Sequence, residues 1–372
     1  MLAAKLCTSA MSPMRLMIGL SVILFIFGIS FFGTIMRQYR YETLTPLQVN
    51  RPYNRTQDAA GGAYLDDPTE LLWRLWRPMV HGITEKTYRA ADGKDYHLPD
   101  GDQIWTEPLG KKVLILDTDS RFAHEAGNLL NQTRLLRSEV EKKTAGRLTH
   151  MVYAGIHGYD YRFVRVPDFK DRHGTWTKVP VIREAAREYD VVVFLDADAG
   201  FVNMNLPLEW LLNYWKMTKD TSLALAKDPD SEHNQDSKGL VLLNTGFIIA
   251  QKNDRTQEIL QELEDCPNDE RWEGCSKWKF DWAHEQRAFG EYIRYDYNKT
   301  TDILALKYPE ANGPVGSFVR HDWFKKRDPL EDMQNSFMDM LVTRTHMHFH
   351  EQLKHYYTDL GHMQHPLSDV EI

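Results

Sequence analysis

Val191-Val192-Val193-Phe194-Leu195-Asp196-Ala197-Asp198-Ala199 is the stretch whose reading decides the fold. Five apolar residues, three of them β-branched, predict a strand buried on both faces. The apolar run stops at two carboxylates one residue apart, and side chains at i and i+2 of an extended chain point the same way. Asp196 and Asp198 are therefore expected to converge at the carboxyl end of the strand, where open α/β sheets bind ligands. Two carboxylates that close repel each other unless something neutralises them. A hard divalent cation such as Mg²⁺ or Mn²⁺ does so and bridges onward to phosphate oxygens. The alternative is two aspartates that simply open a loop.

Outward from this stretch, strands alternate with helices. Residues 111–117 read as a strand that ends at Asp117, followed by Thr118, Asp119 and Ser120. A helical pattern covers 133–156, with Leu135, Leu136, Val140, Leu148 and Met151 as core positions, Gly146 as a break and Gly158 as the C-cap. Residues 161–166 alternate like a strand and 179–188 like a helix. Downstream, 206–212 starts a helix with Pro207 in its first turn, and 223–226 is a short strand. Residues 240–250 form a longer strand interrupted at Asn244-Thr245-Gly246, where a glycine marks a bulge or the close approach of a ligand. Helices are predicted over 254–264 and 284–292. This alternation implies an α/β fold with a mainly parallel sheet. The segment 345–350 (THMHFH) stays unassigned; as a strand it would put His346, His348 and His350 on one face, a rival source of metal ligands.

The N-terminal third differs. Residues 16–35 carry no charge, and twenty helical residues span about 30 Å, the thickness of a bilayer core. They predict a membrane anchor after a tail of 1–15. Basic residues on both sides leave the positive-inside rule undecided. Three N-x-T sequons, at Asn54, Asn131 and Asn298, follow the span, as do Cys266 and Cys275, whereas Cys7 precedes it. That partition favours a lumenal body, in which the two close cysteines are able to pair. Residues 36–110 hold the Pro, Gly and Asn punctuation of a stem, with a short amphipathic helix at 71–76 expected to dock on the body, 111–372. The net charge of -8 gives no electrostatic reason to expect nucleic acid. Ten Trp and 17 Tyr suit either a large core or a carbohydrate-stacking surface.

Taken in order, Tyr153, His157-Gly158-Tyr159-Asp160, Trp176, Lys178, Tyr189-Asp190 and Asp196-Ala197-Asp198 resemble the galactosyl/mannosyl/xylosyltransferase family of GT-A fold enzymes, glycosyltransferase family 34. Asn244-Thr245-Gly246-Phe247, Glu285-Gln286 and Phe318-Val319-Arg320-His321 resemble its later segments. The resemblance implies a GT-A, Rossmann-like mixed sheet flanked by helices. It implies metal-dependent, retaining transfer of a hexose or pentose from a UDP- or GDP-sugar to a glycan acceptor. It also implies a type II Golgi membrane protein with a lumenal catalytic domain, and complexes with other glycosyltransferases as a partner class.

Carried over residue by residue, it assigns Asp196, Asp198 and His321 to Mn²⁺ (or Mg²⁺), Gln286 to the neighbourhood of the anomeric carbon, and Glu285 to sugar hydroxyls. Asn244 and Gly246 approach the sugar or diphosphate, Asp117, Asp119 and Ser120 the nucleoside, and Lys178 a phosphate. Plainer alternatives stand beside these: a structural bulge at Asn244-Gly246, a solvated helix face at Glu285-Gln286, an exposed helix lysine at Lys178. The chain departs from the family pattern at His284, where an acid is common, and at the Val-Phe run before the two aspartates, where tryptophans are usual. The donor sugar and the acceptor are therefore not carried over.

Two other classes compete. Leu114-Ile115-Leu116-Asp117-Thr118-Asp119 resembles the first motif of haloacid-dehalogenase phosphatases, with Asp117 as nucleophile and Asp119 as acid. A membrane-anchored glycan-binding scaffold without chemistry is the third reading.

Overall fold

The computed structural model describes residues 74–90, 92–121, 124–131, 135–297, 301–323 and 329–357. The predicted anchor at 16–35 and the sequons at Asn54 and Asn298 lie outside them. Among the described residues, no helix is long and apolar enough to cross a membrane.

The centre is a six-stranded sheet. In chain order its strands are β3 (Val113–Asp119), β4 (Asp160–Arg165), β5 (Val191–Leu195), β7 (Leu223–Lys227), β8 (Leu243–Gln251) and β9 (Ile303–Leu306). They lie side by side as β4-β3-β5-β8-β7-β9. Only β8 runs against the rest, pairing antiparallel with β5 and β7, while β3 pairs parallel with β4 and β5 and β7 with β9. The result is the mixed, mainly parallel α/β sheet that the alternation predicts.

Period-2 alternation sends each strand's residues into two cores. Val113, Ile115, Val191, Val193, Leu195, Phe247 and Ile249 face one layer. That layer holds α1 (Lys142–His157), α3 (Leu208–Tyr214) and the hairpin β1 (Thr87–Arg89) with β2 (Asp95–His97). Leu114, Leu116, Val192, Phe194, Ile248 and Ala250 face the other. There they meet α2 (Lys178–Glu188), α4 (Asp254–Asp265) and α5 (His284–Glu291). All five residues of β5 are buried, as a strand covered on both faces requires.

Several expectations need correction. The stem boundary at 110 lies too far along the chain: Trp76, Tyr88, Tyr96, Leu98 and Trp105 are all built into the first core. Helix α1 starts at Lys142, because Leu136 and Val140 are extended, and it runs through Gly146 without a break. Leu136 and Met151, read as core, are exposed. Gly158 does cap α1 in the left-handed conformation, with φ 72°. Pro207 is the N-cap of α3 rather than part of its first turn. The His-rich segment lies on a long helix, α6 (Pro329–Glu351), not on a strand. Helical spacing pairs His346 with His350, their Nε2 atoms 3.1 Å apart, and turns His348 toward Tyr356.

Candidate active site

Three elements meet at the carboxyl end of β5. The backbone turns directly after Leu195, with Ala199 N–H donating to Asp196 C=O, and re-enters a short strand, β6 (Ala199–Phe201). Strand β10 (Val319–His321) pairs antiparallel with β6, so that His321 stands opposite Ala199, next to Asp198. This short pair closes a long sequence separation and delivers the imidazole to the two carboxylates. Ligand atoms of Asp196, Asp198 and His321 lie within 4.8 Å of one another, the only such group of three among the described residues. His321 Nε2 is 3.2 Å from Asp198 Oδ1 and 3.9 Å from Asp196 Oδ2.

The chemistry of this donor set fits a divalent cation. Asn244 Oδ1 accepts from Gly246 N–H (2.8 Å), and its Nδ2 donates to Asp228 Oδ1 (2.9 Å), which fixes the amide's orientation. His321 Nδ1, 3.0 Å from the same Oδ1, must therefore donate to it. In the neutral ring, Nε2 then presents its lone pair toward the aspartates, the outer-shell arrangement typical of metal-binding histidines. Without a cation, burial pushes the His321 imidazole down, but the hydrogen bond and charge of Asp198 outweigh burial and hold it protonated above its ordinary range. Trp323 stands edge-on to the ring, 5.0 Å between centroids.

Gly246 is required by this packing. A Cβ there would lie 2.0 Å from His321 Cε1, so the close approach predicted at this glycine is made by the imidazole. The strand is not interrupted at Asn244-Thr245-Gly246. The β7–β8 register jumps there instead, Leu225 facing Ile248 and Ala226 facing Asn244, which is a bulge. Gly146 plays the matching part on α1: a Cβ would meet the Ala197 carbonyl oxygen at 2.0 Å, so the helix packs directly on the turn between the two aspartates.

Behind the aspartates lies a buried polar relay. Lys178 is buried, not exposed; its Nζ donates to Asp196 Oδ1 (2.8 Å) and to the Thr245 carbonyl (3.3 Å) and pairs with Glu285 Oε1 (3.2 Å). It neutralises two carboxylates at the edge of the cavity beside the aspartates. Glu285 accepts from Thr245 Oγ1 at 2.9 Å. Burial alone would raise its carboxyl, yet the Lys178 ammonium holds it below the usual range. Its Oε2 is buried without a hydrogen bond among the described residues. Gln286 is clamped at both ends, Oε1 accepting from Thr245 N–H (3.1 Å) and Nε2 donating to Asp228 Oδ2 (2.7 Å). Asp228 and Asn312, which also donates to Asp228 (3.0 Å), escape a sequence reading. Asp228 ends the apolar strand β7 as Asp196 ends β5, which is a usable signal; Asn312 has none.

Next to the aspartates opens a cavity of about 1070 Å³. Its walls include Asp119, Ser120, Arg121, Lys142, Lys143, Arg172, His173 and Lys178, together with Asp196 and Asp198. Asp119 sits there already paired, with both Arg121 Nε and Nη2 at 2.8 Å and a further bond from Arg147. Burial raises the Asp119 carboxyl; those guanidiniums outweigh it and hold it low. Asp117 is not in the cavity. It is buried and takes hydrogen bonds from His150 Nδ1 (3.0 and 3.1 Å) and Tyr161 Oη (2.8 Å). An aspartate so enclosed neither meets a nucleoside nor acts as a phosphatase nucleophile, so both readings of Asp117 fall. His150 Nε2 donates in turn to the Ala199 carbonyl (2.9 Å), bracing the segment after Asp198.

The residues most characteristic of the family resemblance are scaffold. Tyr153 donates to the Leu206 carbonyl, His157 to the Met204 carbonyl and Tyr159 to Glu209. Trp176 lies in the second core.

Residues 148–307 match the model of the galactosyl transferase GMA12/MNN10 family. No curated protein matches the chain. Among solved structures, the chain is similar to a glycosyltransferase involved in the glycosylation of the major capsid of PBCV-1, at 14% identity and a TM-score of 0.42 over 60% of this chain and 98% of that one. It is also similar to the galactosyltransferase LgtC in complex with donor and acceptor sugar analogs, at 12% identity and a TM-score of 0.32 over 57% of this chain and 87% of that one. An active-site mutant of LgtC gives 13% and 0.30 over the same shares.

Proposed function

We propose that the protein is a glycosyltransferase, as the match of residues 148–307 to the galactosyl transferase GMA12/MNN10 family supports, and that it is a metal-dependent, retaining enzyme that moves a hexose or pentose from a UDP- or GDP-sugar to a glycan acceptor. The observation that carries this reading is the convergence of Asp196, Asp198 and His321 at the edge of a cavity lined with basic side chains.

Asp196, Asp198 and His321 would hold Mn²⁺ or Mg²⁺. When bound, the cation supplies Lewis-acid neutralisation of the charge that builds on a departing nucleoside diphosphate. The chain's own residues do the rest. Lys142 and Lys143, on the cavity wall, attract the diphosphate. Lys178 offsets the charges of Asp196 and Glu285 in a buried setting, holding the Glu285 carboxyl low while burial still pushes that of Asp196 up. Glu285, the residue the family resemblance assigns to sugar hydroxyls, keeps its buried Oε2 without a hydrogen bond among the described residues. The clamp from Thr245 and Asp228 holds the Gln286 carboxamide in one orientation; should it face the anomeric carbon, as the family resemblance implies, such preorganisation would lower the barrier without rearrangement during the reaction.

The same proposal places the enzyme in a Golgi-type lumen, as a type II membrane protein held by residues 16–35. The bond between Cys266 and Cys275, Cα atoms 5.7 Å apart, supports an oxidising compartment. The test is Mn²⁺-dependent donor hydrolysis over a panel of UDP- and GDP-sugars. One donor is expected to turn over in the wild type and to lose turnover by at least 100-fold in a folded Asp198→Ala variant. Turnover that survives the substitution defeats the proposal.

A further inference from the structure

Two ring pairs stand on the segment that runs into Glu285-Gln286, one of them at the cavity wall. His173, on that wall, stacks on His284, with centroids 3.9 Å apart and planes 15° apart. His284 and Ala283 before it both have positive φ, 43° and 68°. Non-glycine residues rarely take that conformation, a strain that tends to persist where a site requires it. The turn sets Trp282 against His233, at 3.9 Å between centroids. His233 lies in the loop after β7, beyond Asp228, and Trp282 precedes Glu285-Gln286. The His233–Trp282 contact thus joins the same two elements as the Asp228–Gln286 hydrogen bond. Trp282 remains 50% exposed and Phe280 64% exposed.

Half of the Trp282 surface is thus open to solvent on the segment that runs into Glu285-Gln286. The neighbours Lys277, Lys279 and Asp281 are charged, so the apolar surface is confined to single rings. A stable protein interface needs on the order of 800 Å² from each partner, whereas one or two sugar rings need only a flat aromatic face bordered by polar groups. A pyranose offers an apolar C–H face to an indole and hydroxyl edges to the polar rim.

We propose that Trp282, backed by His233 and flanked by Phe280, is the platform on which a sugar unit of the acceptor glycan stacks, beside the Asp228–Gln286 contact. The proposal rests on the glycosyltransferase reading and extends it to this chain's own acceptor surface. The test uses the full chain with Mn²⁺ and neutral hexasaccharides of glucose, mannose, galactose and xylose. Calorimetry gives each Kd, and transfer from the donor found by hydrolysis gives each KM. At least one hexasaccharide is expected to bind. Trp282→Ala should weaken its Kd and raise its KM at least fivefold, while Trp282→Phe stays within threefold of wild type and the donor KM does not move. Absence of binding by every hexasaccharide overturns the platform, as does a Trp282→Ala effect below fivefold. Asp198-dependent donor hydrolysis is a separate readout, so a failed platform and a failed glycosyltransferase reading give different results. Should Trp282→Ala not fold, Phe280→Ala and Trp282→Leu carry the same fivefold criterion.

Discussion

His321 Nδ1 lies 3.0 Å from Asn244 Oδ1, across 77 residues of sequence, and that contact sets which imidazole nitrogen faces Asp196 and Asp198. Removing an outer-shell partner of this kind costs about 10–100-fold in metal affinity. Asn244→Ala should therefore weaken Mn²⁺ binding by that factor with the three ligands intact. Calorimetric Mn²⁺ titration checks it; unchanged affinity would mean that the ring is held by other contacts.

Gly246 and Gly146 are predicted to tolerate no side chain. A Cβ on Gly246 meets the His321 ring at 2.0 Å and must displace the proposed ligand. Gly246→Ala should cost at least 100-fold in turnover, more than its loss of stability explains. At Gly146 the obstacle is backbone, the Ala197 carbonyl oxygen at 2.0 Å, so no rotamer change relieves it. Gly146→Ala should destabilise by about 1–3 kcal/mol, the usual cost of overpacking. Urea unfolding together with turnover separates the two cases.

The bond between Cys266 and Cys275 closes a loop over a sequence separation of 9. Loop-closure entropy for so short a loop corresponds to about 2–3 kcal/mol. The Cys266→Ser/Cys275→Ser double variant should lose about that much stability in urea, and reductant should bring the wild type to the same value. A variant as stable as the wild type contradicts the expectation.

His157 gives the stability a pH dependence of known sign. It is buried, and desolvation lowers its imidazole to about 3, offset only in part by the bond to the Met204 carbonyl. Between about pH 3 and its ordinary value of 6.5 the unfolded chain binds the proton and the folded chain does not. This contribution is thus complete above pH 6.5 and is lost as pH falls toward 3, at about 1.4 kcal/mol per pH unit well inside the window. His157→Gln, which keeps a donor for Met204, should flatten the stability profile by one proton between pH 6 and about pH 4. Equal slopes for the two proteins would rule the assignment out.

How much was legible follows from which forces were local. Strand β5 read correctly because a five-residue apolar run bounded by carboxylates has few other solutions, whereas its two aspartates lie in a turn and not along an extended chain. Helix α1 misled because the strand end it covers is acidic. It turns Arg147 and His150 inward to meet Asp119 and Asp117 and leaves Met151 in solvent, which inverts the apolar-in pattern. Burial of Asp117 was unreadable for the same reason: its partners His150 and Tyr161 lie 33 and 44 residues away. Gly146 looks like a breaker in sequence, and only the packing shows that it admits the Ala197 carbonyl; at Gly246 a bulge or a close approach is legible, and the packing shows that the His321 ring makes the approach. The region before residue 110 reads as a stem on its Pro, Gly and Asn punctuation, yet Trp76, Tyr88, Tyr96 and Trp105 reach the core one at a time. His321 was found through the family resemblance, while its delivery beside Asp198 depends on the β6–β10 pair, which three residues on each side do not announce.

The central claim is that Asp196, Asp198 and His321 hold one divalent cation. Electron paramagnetic resonance titration of Mn²⁺, with UDP and GDP each present in turn, tests it most directly. The account predicts one Mn²⁺ site in the wild type, weakened at least 100-fold in both Asp198→Ala and His321→Ala while each variant keeps the wild-type circular dichroism spectrum. Mn²⁺ bound with wild-type affinity by either folded variant would contradict it.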